Sequence, residues 1–286
     1  MKYLFIQSHR SEFRIEKMCQ SLQIHRSGFY YWRQHGRSEL ALANEILLGQ
    51  IKEVFENSRH NYGSPRITKA LRKQGILCGK NRIARLMKIN TIEAKHRRRF
   101  KRRPSVCTDS QAFPNLVNRE FHAAEPNRVW VLDITYLPAA WGWLYLVAIM
   151  DLYSRRIVGW EISTRLLAEF VLEALRKAFQ DRSPKPGLIV HSDRGSQFSS
   201  ALVTDFLKEQ HALQSMSRKG DCYDNSVIES FFGTLKNELL DSKPFESVRE
   251  ARIRLFDLID IFYNRSRIHS TTNDMSPVEF ETAVSP

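Results

Sequence analysis

Cysteine is scarce and scattered. Cys19, Cys78, Cys107 and Cys222 form no C-x-x-C pair, which argues against a zinc module and fits reduced thiols in a cytoplasmic protein. Long hydrophobic runs are missing as well. The longest, "WLYLVAIM" at 143–150, has eight residues, far short of the ~20 that a bilayer-crossing helix needs. The opening "MKYLFIQSHR" holds a four-residue apolar patch, too short for a secretory signal. No membrane association is expected.

Acidic residues are rare in the first part of the chain. Residues 1–110 carry 24 Lys and Arg against 8 Asp and Glu, whereas the remainder carries 20 against 23. The net charge of +13 therefore sits almost wholly in the first third, as expected of a part built to face a polyanion. Cations that displace condensed counterions from phosphates gain affinity by doing so.

Within that basic part, residues 14–35 predict two short helices about a tight turn, with Met18, Leu22 and Ile24 as an apolar edge and Ser27 as cap of the second helix. This is a weak helix-turn-helix pattern within a segment 1–38. A longer helix follows in "LALANEILLGQIKEVFEN", with Leu47, Ile51, Val54 and Phe55 at helical spacing. Then "RITKALRKQG" and "NRIARLMKIN" predict two more short helices. Ile67, Leu71, Ile83 and Leu86 face inward, while Arg66, Lys69, Arg72, Lys73, Arg82, Arg85 and Lys88 stay out. A solvated face would normally mix in Glu and Asp, so 39–94 is the stronger DNA-binding candidate, with Arg66, Arg82 and Arg85 as phosphate contacts. "KHRRRFKRR" at 95–103 has seven cations in nine positions. It predicts a basic linker, 95–120, in which Arg97, Arg98, Arg99, Lys101, Arg102 and Arg103 track a DNA backbone.

From 128 onward the pattern turns to strands. "RVWVLDITYL" is β-rich, "WLYLVAIMDLYS" and "RRIVGWEIS" predict the arms of a hairpin, and strands then alternate with helices. The expectation is a mixed α/β sheet flanked by helices over 121–270, followed by a tail, 271–286. Trp130, Trp143 and Trp160 are expected in the core.

Three acids stand at unusual places. Asp133 interrupts the first strand, Asp193 exits a later one in "LIVHSDRGSQF", and Glu229 lies beside the apolar stripe of a late helix. Arg128 and Arg194 are too few to neutralise all three. If the acids meet, two like charges ~4 Å apart repel by about 4 kcal/mol at an effective dielectric near 20. Either a proton or a cation must then enter. An all-oxygen donor set with no His or Cys suits Mg²⁺, with Mn²⁺ as substitute. Two such ions suit in-line phosphoryl displacement. Lys236, seven residues past Glu229, falls within about 20° of the same helix face, where it can hold a DNA phosphate. Asp151 is expected as turn chemistry, His191 as either an orienting or a structural histidine, and Asp224 and Asn225 as a helix cap. For Arg267 and His269, DNA contact and plain solvation are evenly matched.

The set "WVLDITYL", "HSDRGSQF" and "GDCYDNSVIESFFGTLKNE" resembles the D,D(35)E signature of the retroviral-integrase catalytic core superfamily, with 35 residues between Asp193 and Glu229. Within it the chain resembles bacterial insertion-sequence transposases made from two overlapping frames, and specifically the second-frame (OrfB) product. "YGSPRITKALRKQG" and "YNRSRIHSTTNDMSP" extend the likeness over nearly the whole length. The resemblance implies an RNase H-like core, Asp133, Asp193 and Glu229 as catalytic metal ligands, and cleavage of element ends followed by joining of the 3′-hydroxyl. It also implies double-stranded DNA, a first-frame (OrfA) partner or fusion, a homo-oligomer on DNA, and a bacterial cytoplasmic, nucleoid-associated setting. Leu132, Asp221 and "STTNDMSP" depart from the family pattern without touching a proposed ligand. A DNA-binding regulator and a nuclease that does not join strands are the rival readings.

Overall fold

A computed structural model describes residues 2–36, 38–95, 113–218, 225–239 and 243–284. The chain divides into two compact units, Met1–Ala94 and Lys95–Pro286.

The first unit is helical: α1 (Lys2–Ser8), α2 (Ile15–Ser21), α3 (Arg26–His35), α4 (Glu39–Asn57), α5 (Ser64–Lys73) and α6 (Lys80–Ile89). Met18 and Phe29 are buried with Ile6 from α1, a helix the periodicity does not reveal. Leu22 and Ile24 pack against them. Ser27 does not cap α3. The N-cap is His25, whose Nδ1 meets the Ser27 hydroxyl at 2.7 Å. Leu47, Ile51, Val54, Ile67, Leu71, Ile83 and Leu86 are all buried, as the helical spacing requires. Ser38 caps α4 by accepting from Ala41 N–H, and Pro65 sits in the first turn of α5, where its missing N–H costs nothing.

The second unit is built on a five-stranded sheet in the order β3-β2-β1-β4-β5. Its strands are β1 (Val129–Ala139), β2 (Gly142–Asp151), β3 (Ile157–Ser163), β4 (Ile189–Ser192) and β5 (Leu213–Met216). β1, β2 and β3 form an antiparallel meander, and β4 and β5 join it in parallel. Helices cover both faces, so the central strands carry near-continuous apolar runs rather than clean alternation. On one face Trp130, Leu132, Val147 and Ile149 pack against α7 (Ala168–Arg182) and α8 (Ala201–Glu209). On the other, Val131, Leu146, Ala148 and Met150 pack against α9 (Ser226–Leu239), α10 (Val248–Phe256) and a π-helical segment, Asp257–Tyr263. Gly159 permits a close approach: a Cβ there would stand 2.8 Å from the Ala174 carbonyl oxygen on α7. This is the mixed, helix-flanked RNase H-like arrangement that the sequence leads one to expect.

Four features depart from that reading. Residues 113–120 are folded onto this unit rather than being linker: Val117 is buried, Leu116 N–H donates to Ser215 Oγ at 2.9 Å, and Met216 N–H donates to the Pro114 carbonyl. The segment 271–286 includes α11 (Pro277–Val284). Its Glu281 binds Arg156, Arg182 and Ser154 at 2.7–2.9 Å, so it is a fixed part of the unit. The last long helix changes winding at Asp257. Trp143 is 45% exposed and lies next to the turn of the β1–β2 hairpin, opposite Pro138, where Tyr136 meets it edge-on. Trp130 is fully buried, and Trp160 is partly buried with its indole N–H on Asp260 at 2.9 Å.

Candidate active site

The parallel register of β1 and β4 pairs Val131 with His191. Two residues further on stand Asp133, within β1, and Asp193, immediately after the end of β4. With a side-chain period of two, Asp133 points to the face that Val131 occupies, the face covered by α9. α9 carries Glu229 in its first turn and Lys236 near its end.

The Asp133 carboxyl feels the charges of the other three groups. Burial pushes the Asp133 carboxyl well above its ordinary value. The negative charge of Asp193 adds to this, and that of Glu229 adds further, while the Lys236 ammonium opposes it. Asp193 is raised in its turn by its own burial. Asp133 keeps some contact with water, but protein encloses it closely enough for desolvation to dominate. Each carboxylate is held locally: Asp133 Oδ1 accepts from Ile134 N–H at 2.7 Å, and Asp193 Oδ1 accepts from Gly195 N–H at 2.9 Å. A Cβ at 195 would stand 3.1 Å from Asp193 Oδ1, so a larger residue there would push that carboxylate aside by a few tenths of an ångström.

Among the described residues, no three His, Cys, Asp or Glu side chains are gathered tightly enough to hold a metal ion jointly. In kind, the donor set fits a hard divalent cation: carboxylates that repel one another, with no competing imidazole or thiolate. The amide Nδ2 of Asn225 donates to the Leu132 carbonyl at 3.2 Å, while its buried Oδ1 makes no hydrogen bond. Asn225 therefore ties the start of α9 to β1 next to Asp133, rather than capping the helix; no hydropathy signal reveals that role. Asp224 lies outside the described residues.

The other candidates resolve as follows. His191 is fully buried, with Nδ1 on Ser215 Oγ at 2.8 Å and Nε2 on Ser217 Oγ at 3.3 Å, so it fastens β4 to the strand beside it. Asp151 accepts from the backbone N–H groups of Asn127 and Tyr153 at 2.8 and 3.0 Å and lies 3.5 Å from Arg182. That is turn chemistry plus an ion pair. Arg267 neither reaches into solvent nor lies open for DNA: it is buried in an ion pair with Glu238 of α9. The hollow lined by Glu161, Ser163, Leu167, Phe170, Lys177 and Arg252 contains none of the three acids.

In the helical unit, Arg85 is exposed. Arg66 is half-buried, its guanidinium 5.7 Å from the Tyr62 ring. Arg82 departs from the outward face predicted for it. It is half-buried, and its Nε donates to Asn44 Oδ1 at 2.8 Å, joining α6 to α4. Arg72 donates to the Cys78 carbonyl at 3.1 Å. Arg97, Arg98, Arg99, Lys101, Arg102 and Arg103 lie outside the described residues.

Comparison with known proteins follows the same division. Residues 123–222 and 211–277 match models of the integrase core domain, and 42–100 match an HTH-like domain. The transposase InsF for insertion sequence IS3A of Escherichia coli (strain K12) is 38% identical over 287 residues, covering 98% of either chain. The insertion element IS600 uncharacterized 31 kDa protein of Shigella sonnei is 41% identical over 264 residues, 92% of this chain and 97% of that one. Among solved structures, the HTLV-2 integrase catalytic core domain in its trimeric form has a TM-score of 0.44 at 16% identity, covering 56% of this chain and 99% of that chain. With such identity sustained along nearly the whole sequence, and with integrase-core and HTH-like regions both matched, the chain belongs to the IS3 family of insertion-sequence transposases.

Proposed function

We propose that this transposase cuts DNA at the ends of its insertion element and joins the freed 3′-hydroxyl to another phosphodiester, with Asp133, Asp193 and Glu229 holding divalent cations. One observation carries the reading: the Asp133 carboxyl feels both other acids, one just past the end of β4 and one on a helix far along the chain, and each acts on it more strongly than the Lys236 ammonium does. In a structural ion pair the opposite charge would dominate. When bound, two Mg²⁺ ions (or Mn²⁺ in their place) would activate the attacking oxygen and stabilise the leaving one.

The chain's own residues supply the rest. Lys236 shares a helix face with Glu229 and meets a phosphate of the strand being cut. Gly195 N–H and Ile134 N–H each hold one oxygen of an aspartate, leaving the second for a cation. Arg66, Arg85 and the basic run 97–103 neutralise phosphates away from the reacting bond. The substrate is double-stranded DNA, the working form a homo-oligomer on that DNA, and the first-frame product a partner or fused extension. The setting is the bacterial cytoplasm, at the nucleoid; among the described residues no helix is long and apolar enough to cross a membrane.

The test is purified protein with labelled end-sequence DNA and Mg²⁺, with and without the first-frame product. Cleaved and joined strands support the reading. Cleavage alone would make the chain a nuclease, and binding without cleavage under both conditions a regulator.

A further inference from the structure

The segment after the π-helix grips the helix that carries Glu229. Glu238 follows Glu229 by nine residues, which at 100° per residue puts it about 180° around α9, on the back of the face that presents Glu229 and Lys236. There the Glu238 carboxylate pairs with the Arg267 guanidinium, side chains that are 5% and 4% exposed. Beside this pair, Tyr263 packs edge-on against Phe231 of α9 at 4.7 Å and against His269 at 4.8 Å.

The other side of the segment is anchored to the sheet. Asn264 acts as a stand-in strand for β3: its Oδ1 accepts from Ile157 N–H and its Nδ2 donates to the Ile157 carbonyl, each at 2.9 Å. Asp260 takes the Trp160 indole N–H. The wider winding at 257–263 brings Leu258, Ile259, Phe262 and Tyr263 all inward, and such π-segments recur at functional sites. The segment is thus fixed to β3 at one end and holds α9 at the other.

We infer that Arg267 is a positioning residue: through Glu238 it sets the rotation of α9 at which Glu229 and Lys236 face Asp133. The inference rests on the metal-binding reading of the three acids. Two alternatives to ion pairing at this place are excluded by geometry. A DNA contact needs an exposed guanidinium, and a plain surface bridge would not be sealed from water on both sides.

The test uses the full chain and the variants Arg267→Lys and Glu238→Gln, with Arg267→Met as the severe case. Mn²⁺ binding is followed by electron paramagnetic resonance, DNA-end cleavage is followed across a Mg²⁺ series, and melting and DNA binding are measured alongside. The expected result is a loss of about tenfold in Mn²⁺ affinity, with a matching rise in the Mg²⁺ midpoint, as for partners that orient metal ligands. Arg267→Lys should retain more affinity than Arg267→Met, and DNA binding should hold. Lower melting with unchanged metal midpoints in Arg267→Lys and Glu238→Gln would overturn the inference and leave only a structural brace. If Asp133→Asn leaves the wild-type Mn²⁺ affinity unaltered, the site reading itself fails, and this inference with it.

Discussion

Asp133 of β1 and Asp193, the first residue after β4, each follow by two residues the Val131–His191 pair of these adjacent parallel strands. On the other side of β1 the antiparallel register sets Asp133 opposite Ala148 of β2, which offers only a methyl group. The parallel insertion of β4 beside β1 is therefore what brings residues 60 positions apart to the same place.

Asp133→Asn, Asp193→Asn and Glu229→Gln should each lower cleavage and joining by at least about a hundredfold, the upper range seen for mere supports of metal ligands. DNA binding should survive in all three. A gel-shift titration beside the strand-transfer assay checks this, and simultaneous loss of binding in all three would mark the acids as structural.

The same acids should weaken the resting protein. Asp133 has its folded carboxyl pushed above the ordinary value of 3.8, so between those two points the folded chain holds a proton that the unfolded chain has released. Stability then falls as pH rises through that window. Asp133→Asn removes the penalty. Without divalent cations at neutral pH it should melt higher than wild type, by about 2–4 °C for each kcal/mol relieved. Added Mg²⁺ should raise wild type but not the variant. Calorimetric melts in chelator and in Mg²⁺ decide it.

Arg85 and Arg82 should separate binding from folding. Arg85→Ala should weaken DNA binding and reduce the salt slope by about one, with melting unchanged. Arg82→Ala should lower the stability of the helical unit by roughly 1 kcal/mol through loss of the Asn44 bond. Salt-dependent affinity and thermal melts for both variants make the comparison. Neutralising 97–103 should shallow the slope further.

Much of this was legible in the sequence because it is local. Helical spacing identifies Ile67, Leu71, Ile83 and Leu86, and the β-rich runs identify β1, β2 and β3. The three acids stand out because neighbouring residues cannot neutralise them. What escaped depends on distant partners. Nothing near Arg267 shows that Glu238 will meet it, and nothing near Glu281 shows Arg156 or Arg182. Trp143 looks like core by residue type, but it lies past the edge of the helical cover. The π-winding is a phase shift that periodicity over so short a span cannot resolve. Arg82 sits in a basic run, and only the packing of α6 on α4 turns it inward.

Glu281 should give the core an acid limit. Burial alone would raise its carboxyl, but hydrogen bonds from Arg182, Ser154 and Arg156, and the charge of Arg182, hold it below 4.5. Its contribution is complete above 4.5 and is lost as pH falls through the lower folded value. Glu281→Gln should cost on the order of 2–4 kcal/mol at neutral pH and flatten the acid side of the stability profile. Denaturant titrations of both proteins between pH 3 and 7 measure each effect.

The bonds of Glu281 reach back 99, 125 and 127 residues, to Arg182, Arg156 and Ser154. A nascent chain whose helix α11 is still inside the ribosome has made every strand of the sheet but lacks the carboxylate that Arg156 and Arg182 share. Helices and the β1–β2–β3 meander can form during synthesis, yet closure of the catalytic unit waits for the last stretch to emerge. Premature termination shortly before 277 would release a protein able to bind DNA through its helical unit while lacking a settled catalytic partner, and so able to occupy element ends without processing them.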